Sequence, residues 1–267
     1  MNGLDKIVIM DEVKNKIRDY WNKRSSTFDL SPGHVVSSKR EEDAWKSLLK
    51  RKLGDDTESV LDVGAGTGFL SIMLAEMGYE VVGLDISEEM LRRARKKAAD
   101  RGVKVEFKLG DAEDLPFDAG SFDAVVNRAV LWSLPNPEKA IREWKRVLKH
   151  GGRLCFFLHE PHAKEVSQIL RRQIGNFLIL LVERRNPWNS LYNGKMVENL
   201  PFRGGVEPAV ILDLLERVGF EGVSAETMEE ISKLQREKMP LRYKIAHSNH
   251  SQFCYTALKP KGGDING

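Results

Sequence analysis

Cysteine is scarce. Cys155 and Cys254 are the only two in 267 residues, which rules out the disulfide framework of a small secreted domain and predicts a reducing compartment. Long apolar runs are missing too. None reaches ~18 residues, so no membrane-spanning helix is predicted. Met1 to Lys16 scatters charges among its apolar residues and shows no signal-peptide h-region, so a cytoplasmic protein is expected. Neither charge sign dominates: 42 Lys and Arg face 39 Asp and Glu, for a net charge of +3. That balance is too mild to call for a nucleic-acid partner. Repeats and low-complexity tracts are absent, and so is the metal-binding spacing His-Glu-x-x-His.

What the chain does have is one organising stretch. Ser59 to Val63, with Asp62 inside it, reads as a buried parallel strand, Gly64-Ala65-Gly66-Thr67-Gly68 as a tight turn, and Phe69 to Met77 as a helix. Glycine lets the backbone take φ > 0 and approach a ligand closely, and a strand, a glycine turn and a helix N-terminus open a nucleotide-binding α/β unit. A second strand, Glu80 to Asp85, ends in an acid near the ~20-residue spacing at which a carboxylate meets ribose hydroxyls. The glycines read G-x-G-x-G, not the G-x-G-x-x-G of a dinucleotide site, which argues against an NAD-dependent oxidoreductase.

Further along, Ser87 is a plausible N-cap for a helix to about Asp100 whose basic face, Arg92 to Lys97, reads as solvated. Lys104 to Leu109 is a third strand, closed by Gly110-Asp111-Ala112, and Phe122 to Asn127 is a fourth. Pro137 to Leu148 is a helix with Ala140, Ile141, Trp144, Val147 and Leu148 on one face, and Arg153 to Leu158 is a fifth strand.

The glycine turn with Asp85, then Gly-Asp-Ala, Leu-Pro-Phe, Ser-Phe-Asp and the Lys-x-Gly-Gly turn at Lys149 to Gly152, resemble the class I S-adenosylmethionine-dependent methyltransferases over roughly Asp19 to Glu160. The resemblance implies an α/β fold, a Rossmann-like doubly wound seven-stranded sheet, mostly parallel with the last strand antiparallel. An N-terminal helical lid (1–53), a cofactor-binding core (54–160), an inserted substrate cap (161–206) and a return to the core (207–267) are expected. The cofactor implied is S-adenosyl-L-methionine, released as S-adenosyl-L-homocysteine. Its binding residues would be Tyr20, Arg24, Asp62, Gly64, Ala65, Gly66, Gly68, Asp85, Ile86, Met90, Asp111, Ala112 and Asn127. Among them Asp111 would accept from the adenine amino group, and Asn127 would lie beside the methionyl part. Many relatives carry a histidine where this chain has Trp132 or Ser133.

The leader is similar to the Tyr-Trp-x-x-Arg-x-x-x-Phe-Asp segment of many small-molecule methyltransferases. Val13 to Trp21 reads as an amphipathic helix and Lys23 to His34 as a polar turn, either folding over the cofactor or simply packing. Val166 to Arg185 is a long helix candidate. Burial against the core is the default reading, beside a homo-oligomer seam or an interfacial helix. Trp132, His159, His162, Trp188, Tyr192 and Phe202 are the acceptor-site candidates, and Tyr20, His159 and His247 the catalytic ones. In this family the last strand lies antiparallel beside the fifth, which would bring His159 and His162 near His247 and His250, as a base, as metal ligands, or as ordinary loop histidines. No metal site is assigned. The expected function is methyl transfer to a small-molecule acceptor, the alternatives being a quinone- or lipid-type acceptor at a membrane surface, or a non-catalytic S-adenosylmethionine-binding protein.

Overall fold

The apolar run at Val60 becomes the middle of the sheet. In a computed structural model that describes residues 3–159, 166–183, 200–202, 205–246 and 252–262, the strands are β1 (Ser59–Val63), β2 (Glu80–Asp85), β3 (Glu106–Leu109), β4 (Phe122–Arg128), β5 (Leu148–His159), β6 (Glu221–Thr227) and β7 (Gln252–Leu258). They form one sheet of seven strands in the order β3-β2-β1-β4-β5-β7-β6. β1 pairs in parallel with β2 and β4, and β7 runs antiparallel to β5 and β6. Val60 to Val63 and Ala124 to Val126 are buried, as central parallel strands covered on both faces must be.

The helices are α1 (Gly3–Phe28), α2 (Lys39–Leu53), α3 (Phe69–Glu76), α4 (Glu88–Asp100), α5 (Pro137–Val147), α6 (Val166–Glu183), α7 (Pro208–Arg217), α8 (Glu229–Lys238) and α9 (Leu241–Ala246). One face of the sheet packs against α5 and α7 through Trp144, Ile211 and Leu215. The other packs against α2, α3 and α8 through Trp45, Leu49, Leu74 and Ile231. Ser87 caps α4 as its sequence predicts, accepting from the Met90 N–H at 3.2 Å. The chain leaves β1 towards β2 and β3, then crosses back to β4 on the other side of β1. That reversal opens a crevice at the strand carboxyl ends, where ligands bind in open α/β sheets.

The clearest differences from the sequence reading lie in three elements. The first helix does not stop at Trp21 but runs to Phe28. Ser25 and Ser26 bond back to the carbonyls of Asn22 and Lys23 at 2.8 and 3.3 Å, so hydroxyls that would suit a turn are satisfied inside the helix. β5 begins at Leu148, directly after α5, because Leu148 already pairs with Phe122 and the irregular register before Ala124 absorbs Gly151 and Gly152. Lastly α6 is not buried as a whole. Gly175 and Ile179 are inward, but Val166, Leu170, Phe177, Leu181 and Val182 are more than half exposed. Among the described residues no helix is long and apolar enough to cross a membrane.

Candidate active site at the sheet reversal

The crevice holds an open cleft whose empty space, mouth and adjoining solvent included, is about 690 Å³. Its floor is the glycine turn. Gly64 and Ala65 both donate to the Leu84 carbonyl, at 2.7 and 2.9 Å, so the turn wraps over the end of β2. Gly64 has φ +70°, and a Cβ there would lie 2.3 Å from Cγ2 of Val130. Gly66, at φ +55°, has nothing nearer than 3.9 Å to such an atom and faces open space. Glycine is therefore needed at 64 for room and conformation together, and at 66 for conformation alone.

Asp85 is buried at the end of β2 and lines the cleft. One carboxylate oxygen accepts the Gly66 N–H at 2.8 Å and the other the Ser87 N–H at 2.8 Å, which fixes the group's orientation. Burial pushes its pKa up to about 6 although these backbone bonds favour the charged form. At the end of β3, Asp111 accepts the Glu113 N–H at 2.8 Å through one oxygen, and Ala112 is held by its carbonyl, which accepts from Trp144 Nε1 at 3.1 Å. Ile86 and Met90 also line the cleft.

Part of the lining comes from α1. Ile17 and Trp21 face the cleft, and Lys14 meets the second Asp111 oxygen at 2.6 Å and Glu113 Oε2 at 2.8 Å. Burial works against the Lys14 charge, yet these two acids outweigh it and hold its pKa above the ordinary lysine value. Two more ties hold the same segment. Asn22 Oδ1 accepts from Ser87 Oγ at 2.7 Å, and Asp29 accepts from Thr67 Oγ1 at 2.6 Å and Lys97 Nζ at 3.0 Å. Sequence reading missed Lys14, although its spacing to Ile17 and Trp21 on a helical face could have shown that the three travel together.

The other missed residue is Arg128, which lines the cleft where β4 ends. It is followed by Ala129, a non-glycine residue at φ +57° whose N–H donates to the Phe157 carbonyl at 2.8 Å. Such left-handed strain outside glycine concentrates at functional sites. His34 lies nearby with its ring 4.0 Å from that of Phe28. Its Nδ1 donates to the Phe28 carbonyl at 2.9 Å. Burial, then the neighbouring Arg128 charge, lower its pKa to about 4, so the imidazole is neutral.

The structure thus brings Gly64, Gly66, Asp85, Ile86, Met90, Asp111 and Ala112 together on one cleft. It places other sequence candidates off the lining. Alternation along β1 turns Asp62 to the face covered by α3, where it accepts from Ser71 Oγ. Ala65 is buried beneath the turn, and Gly68 is the left-handed N-cap of α3, packed by Ile72 and Ala94. Arg24 is not among the lining residues, and it donates to Thr27 Oγ1 and Ser31 Oγ at 2.5 Å each. Asn127 is fully buried beside the cleft, and neither side-chain amide atom has a partner among the described residues.

Tyr20 and Trp132 are half-buried and flank Trp21, with ring centroids 4.9 and 6.0 Å away, and neither is among the residues lining the cleft. Phe202 packs against the core cluster instead of the cleft, and His159 is exposed at the end of β5, opposite Gln252 of β7. The expected β5–β7 pairing is present. His162, Trp188, Tyr192, His247 and His250 lie outside the described residues. Among those described, no cluster of acids, histidines and cysteines could hold a metal ion.

A family model described as a methyltransferase domain matches residues 61–156. The chain is 35% identical over 174 residues to the demethylmenaquinone methyltransferase of Lactococcus lactis, covering 63% of this chain and 68% of that one. It is 41% identical over 202 residues to the ubiquinone biosynthesis O-methyltransferase of Xanthomonas axonopodis, covering 75% and 76%. Two further demethylmenaquinone methyltransferases are matched over 56% and 52% of their own length. Among solved structures, phosphoethanolamine N-methyltransferase 2 of Haemonchus contortus, in complex with phosphomonomethylethanolamine and S-adenosylhomocysteine, superposes with a TM-score of 0.65. That pair shares 17% identity over 91% of this chain and 60% of the other, a likeness of fold alone. An identity of 41% carried across three quarters of a relative means that the chain belongs to the S-adenosylmethionine-dependent methyltransferases.

Proposed function

We propose that this chain transfers a methyl group from S-adenosylmethionine to a small, planar, largely apolar acceptor of the hydroquinone or phenol class. The observation that supports it is the cleft itself, where acids for the polar end of a nucleoside meet an apolar wall supplied by a separate helix. When bound, the cofactor supplies an electrophilic methyl group on a sulfonium.

The residues present fit that ligand. Asp85, oriented by Gly66 and Ser87, is set to accept hydroxyl hydrogen bonds from a ribose. Ala112 and Met90 offer apolar contact to a flat ring, and the buried amide of Asn127 wants polar partners. Acceptor class rests on the wall formed by Ile17 and Trp21 with Trp132 behind it, and on the quinone-related names of the relatives. The protein's part is to orient the acceptor and to exclude water, with α1 as the lid. No side chain is assigned as a base, since neither Tyr20 nor His159 is among the residues that line the cleft.

Incubating the protein with S-adenosylmethionine and a panel of demethylated quinols and catechols, with mass spectrometry of the products, tests the reading. Formation of a methylated quinol with matching S-adenosylhomocysteine is expected. Cofactor binding without transfer to any acceptor would favour a non-catalytic binding protein instead.

A second reading concerns where the acceptor is met. The exposed apolar residues of α6 flank Arg171 and Arg172, also exposed, a composition that suits the headgroup boundary of an anionic membrane. Sedimentation with anionic liposomes, weakened by Phe177→Asp and Leu181→Asp, is the expected result. Equal partition of wild type and variant would remove this version while leaving the soluble one intact.

A further inference from the structure

Ala129 carries a methyl group where its backbone calls for none. At φ +57° it is the one non-glycine residue in the left-handed region among the described residues, and glycine fills the other such positions. A Cβ in that region is strained, so glycine would hold the same turn at lower cost. The turn itself is fixed from both sides. Before it, β4 runs beside β5, and the Ala129 N–H extends that ladder by donating to the Phe157 carbonyl at 2.8 Å. After it, Val130 closes on Gly64, where a Cβ on the glycine would lie 2.3 Å from Val130 Cγ2. Ala129 is half-buried and lines the cleft. With its N–H turned to β5, the methyl group and the carbonyl are what it offers there. Strain of this kind persists where the surroundings impose it and clusters where a ligand is held.

Its place along the sheet says what meets that methyl group. The strand ends that frame the cleft follow one another as β3, β2, β1, β4. The groups suited to a nucleoside, Asp111, Ala112 and Asp85, stand at the ends of β3 and β2, so Ala129 lies across the glycine turn from them. Its neighbours on the lining there include Val130, Leu134 and Pro135, all apolar. We infer that the Ala129 methyl selects the acceptor by size, standing against a substituent beside the atom that is to be methylated. This rests on the phenol-type acceptor proposed above. Contact alone is enough for the purpose, since one methyl group more or less in a pocket changes selectivity by about tenfold or more. The other group that could meet Ala129 is the donor itself, and the experiment separates the two.

The test is titration calorimetry of the full chain saturated with S-adenosylhomocysteine, for wild type, A129G and A129S. The probes are catechol and 3,6-dimethylcatechol, in which a methyl group flanks each hydroxyl. Wild type should bind catechol about tenfold or more tightly than the flanked probe. A129G should bring the two level or reverse their order, because the added methyl groups then gain apolar contact. A129S keeps a Cβ and should keep the wild-type preference. The urea midpoint of A129G should stand at or above that of wild type, since strain is relieved, and its affinity for S-adenosylhomocysteine should be unchanged. A wild-type preference that survives in A129G would overturn the inference and leave the carbonyl as the lining group. So would a lowered midpoint, which would make the methyl a packing group, or weakened binding of S-adenosylhomocysteine in A129G, which would set it against the donor. No preference in wild type would rule out selection by size whatever the variants do. Wild type that binds S-adenosylhomocysteine but neither catechol would sink the acceptor class itself, a result distinct from all of these.

Discussion

A methyl group added at Gly64 would collide with Val130 at 2.3 Å on a backbone already at φ +70°. Gly64→Ala should therefore lose about 2 kcal/mol or more in urea unfolding, combining strain with overpacking. Gly66→Ala, with free space but φ +55°, should lose about 1 kcal/mol. Equal losses would mean that Val130 yields. The need for glycine in this turn was legible from spacing, but the partner that closes on Gly64 was not, because Val130 comes from a different strand end. Asp62 allows a second test. Burial, only partly offset by the bond from Ser71, raises its pKa to about 7. From about pH 4 to 7 the folded protein keeps a proton that the unfolded chain has released, so this group's contribution to stability falls as pH rises through that window. Asp62→Asn removes the titration. Its urea midpoint should gain on wild type between pH 5 and 8, by at most about 1.4 kcal/mol per pH unit. Taking the difference between the two proteins cancels His34, whose lowered pKa acts in the opposite direction. A flat difference would show that Asp62 is ionised throughout.

At the scale of the element, α1 shows how unequal two ion pairs can be. Lys16 and Glu12 are both more than half exposed and pair at i,i+4, an arrangement worth a few tenths of a kcal/mol. Lys14 instead offsets Glu113, whose side chain is 1% exposed and whose other oxygen accepts the Asn136 N–H at 2.6 Å. Lys14→Met should therefore cost about 3 kcal/mol, on the order of leaving a buried charge alone, while Lys16→Met stays near neutral. Chemical denaturation of the two variants checks the contrast, and Lys14→Met should also cleave faster in α1 under limited proteolysis. Parity between the variants would mean that Glu113 finds water when Lys14 is gone. The sequence showed an amphipathic helix here but ended it at Trp21, because Ser25, Ser26 and Thr27 look like breakers until their back-bonds are seen. For α6 the apolar count suggested burial, whereas exposure depends on neighbours that periodicity does not name.

Across the whole molecule, the antiparallel β5–β7 pairing sets Cys155 and Cys254 with sulfurs 3.7 Å apart in the core. The hydrogen bond to Cys254 and burial push the Cys155 thiol well above its ordinary pKa. Both cysteines should resist a thiol reagent in the native state and react together on unfolding, whereas fast labelling of one in native buffer would place it at the surface. Local chemistry determined the strand, the glycine turn, the helix after it and the acid ending the next strand, because backbone sterics and apolar periodicity act over a few residues. Fold class and cofactor type followed from those motifs. Only the tertiary structure decided that Lys14, Trp21 and Arg128 meet at one cleft while Asp62 turns away from it. Those outcomes depend on strand order and on which face each side chain takes, both set by segments far apart in the chain.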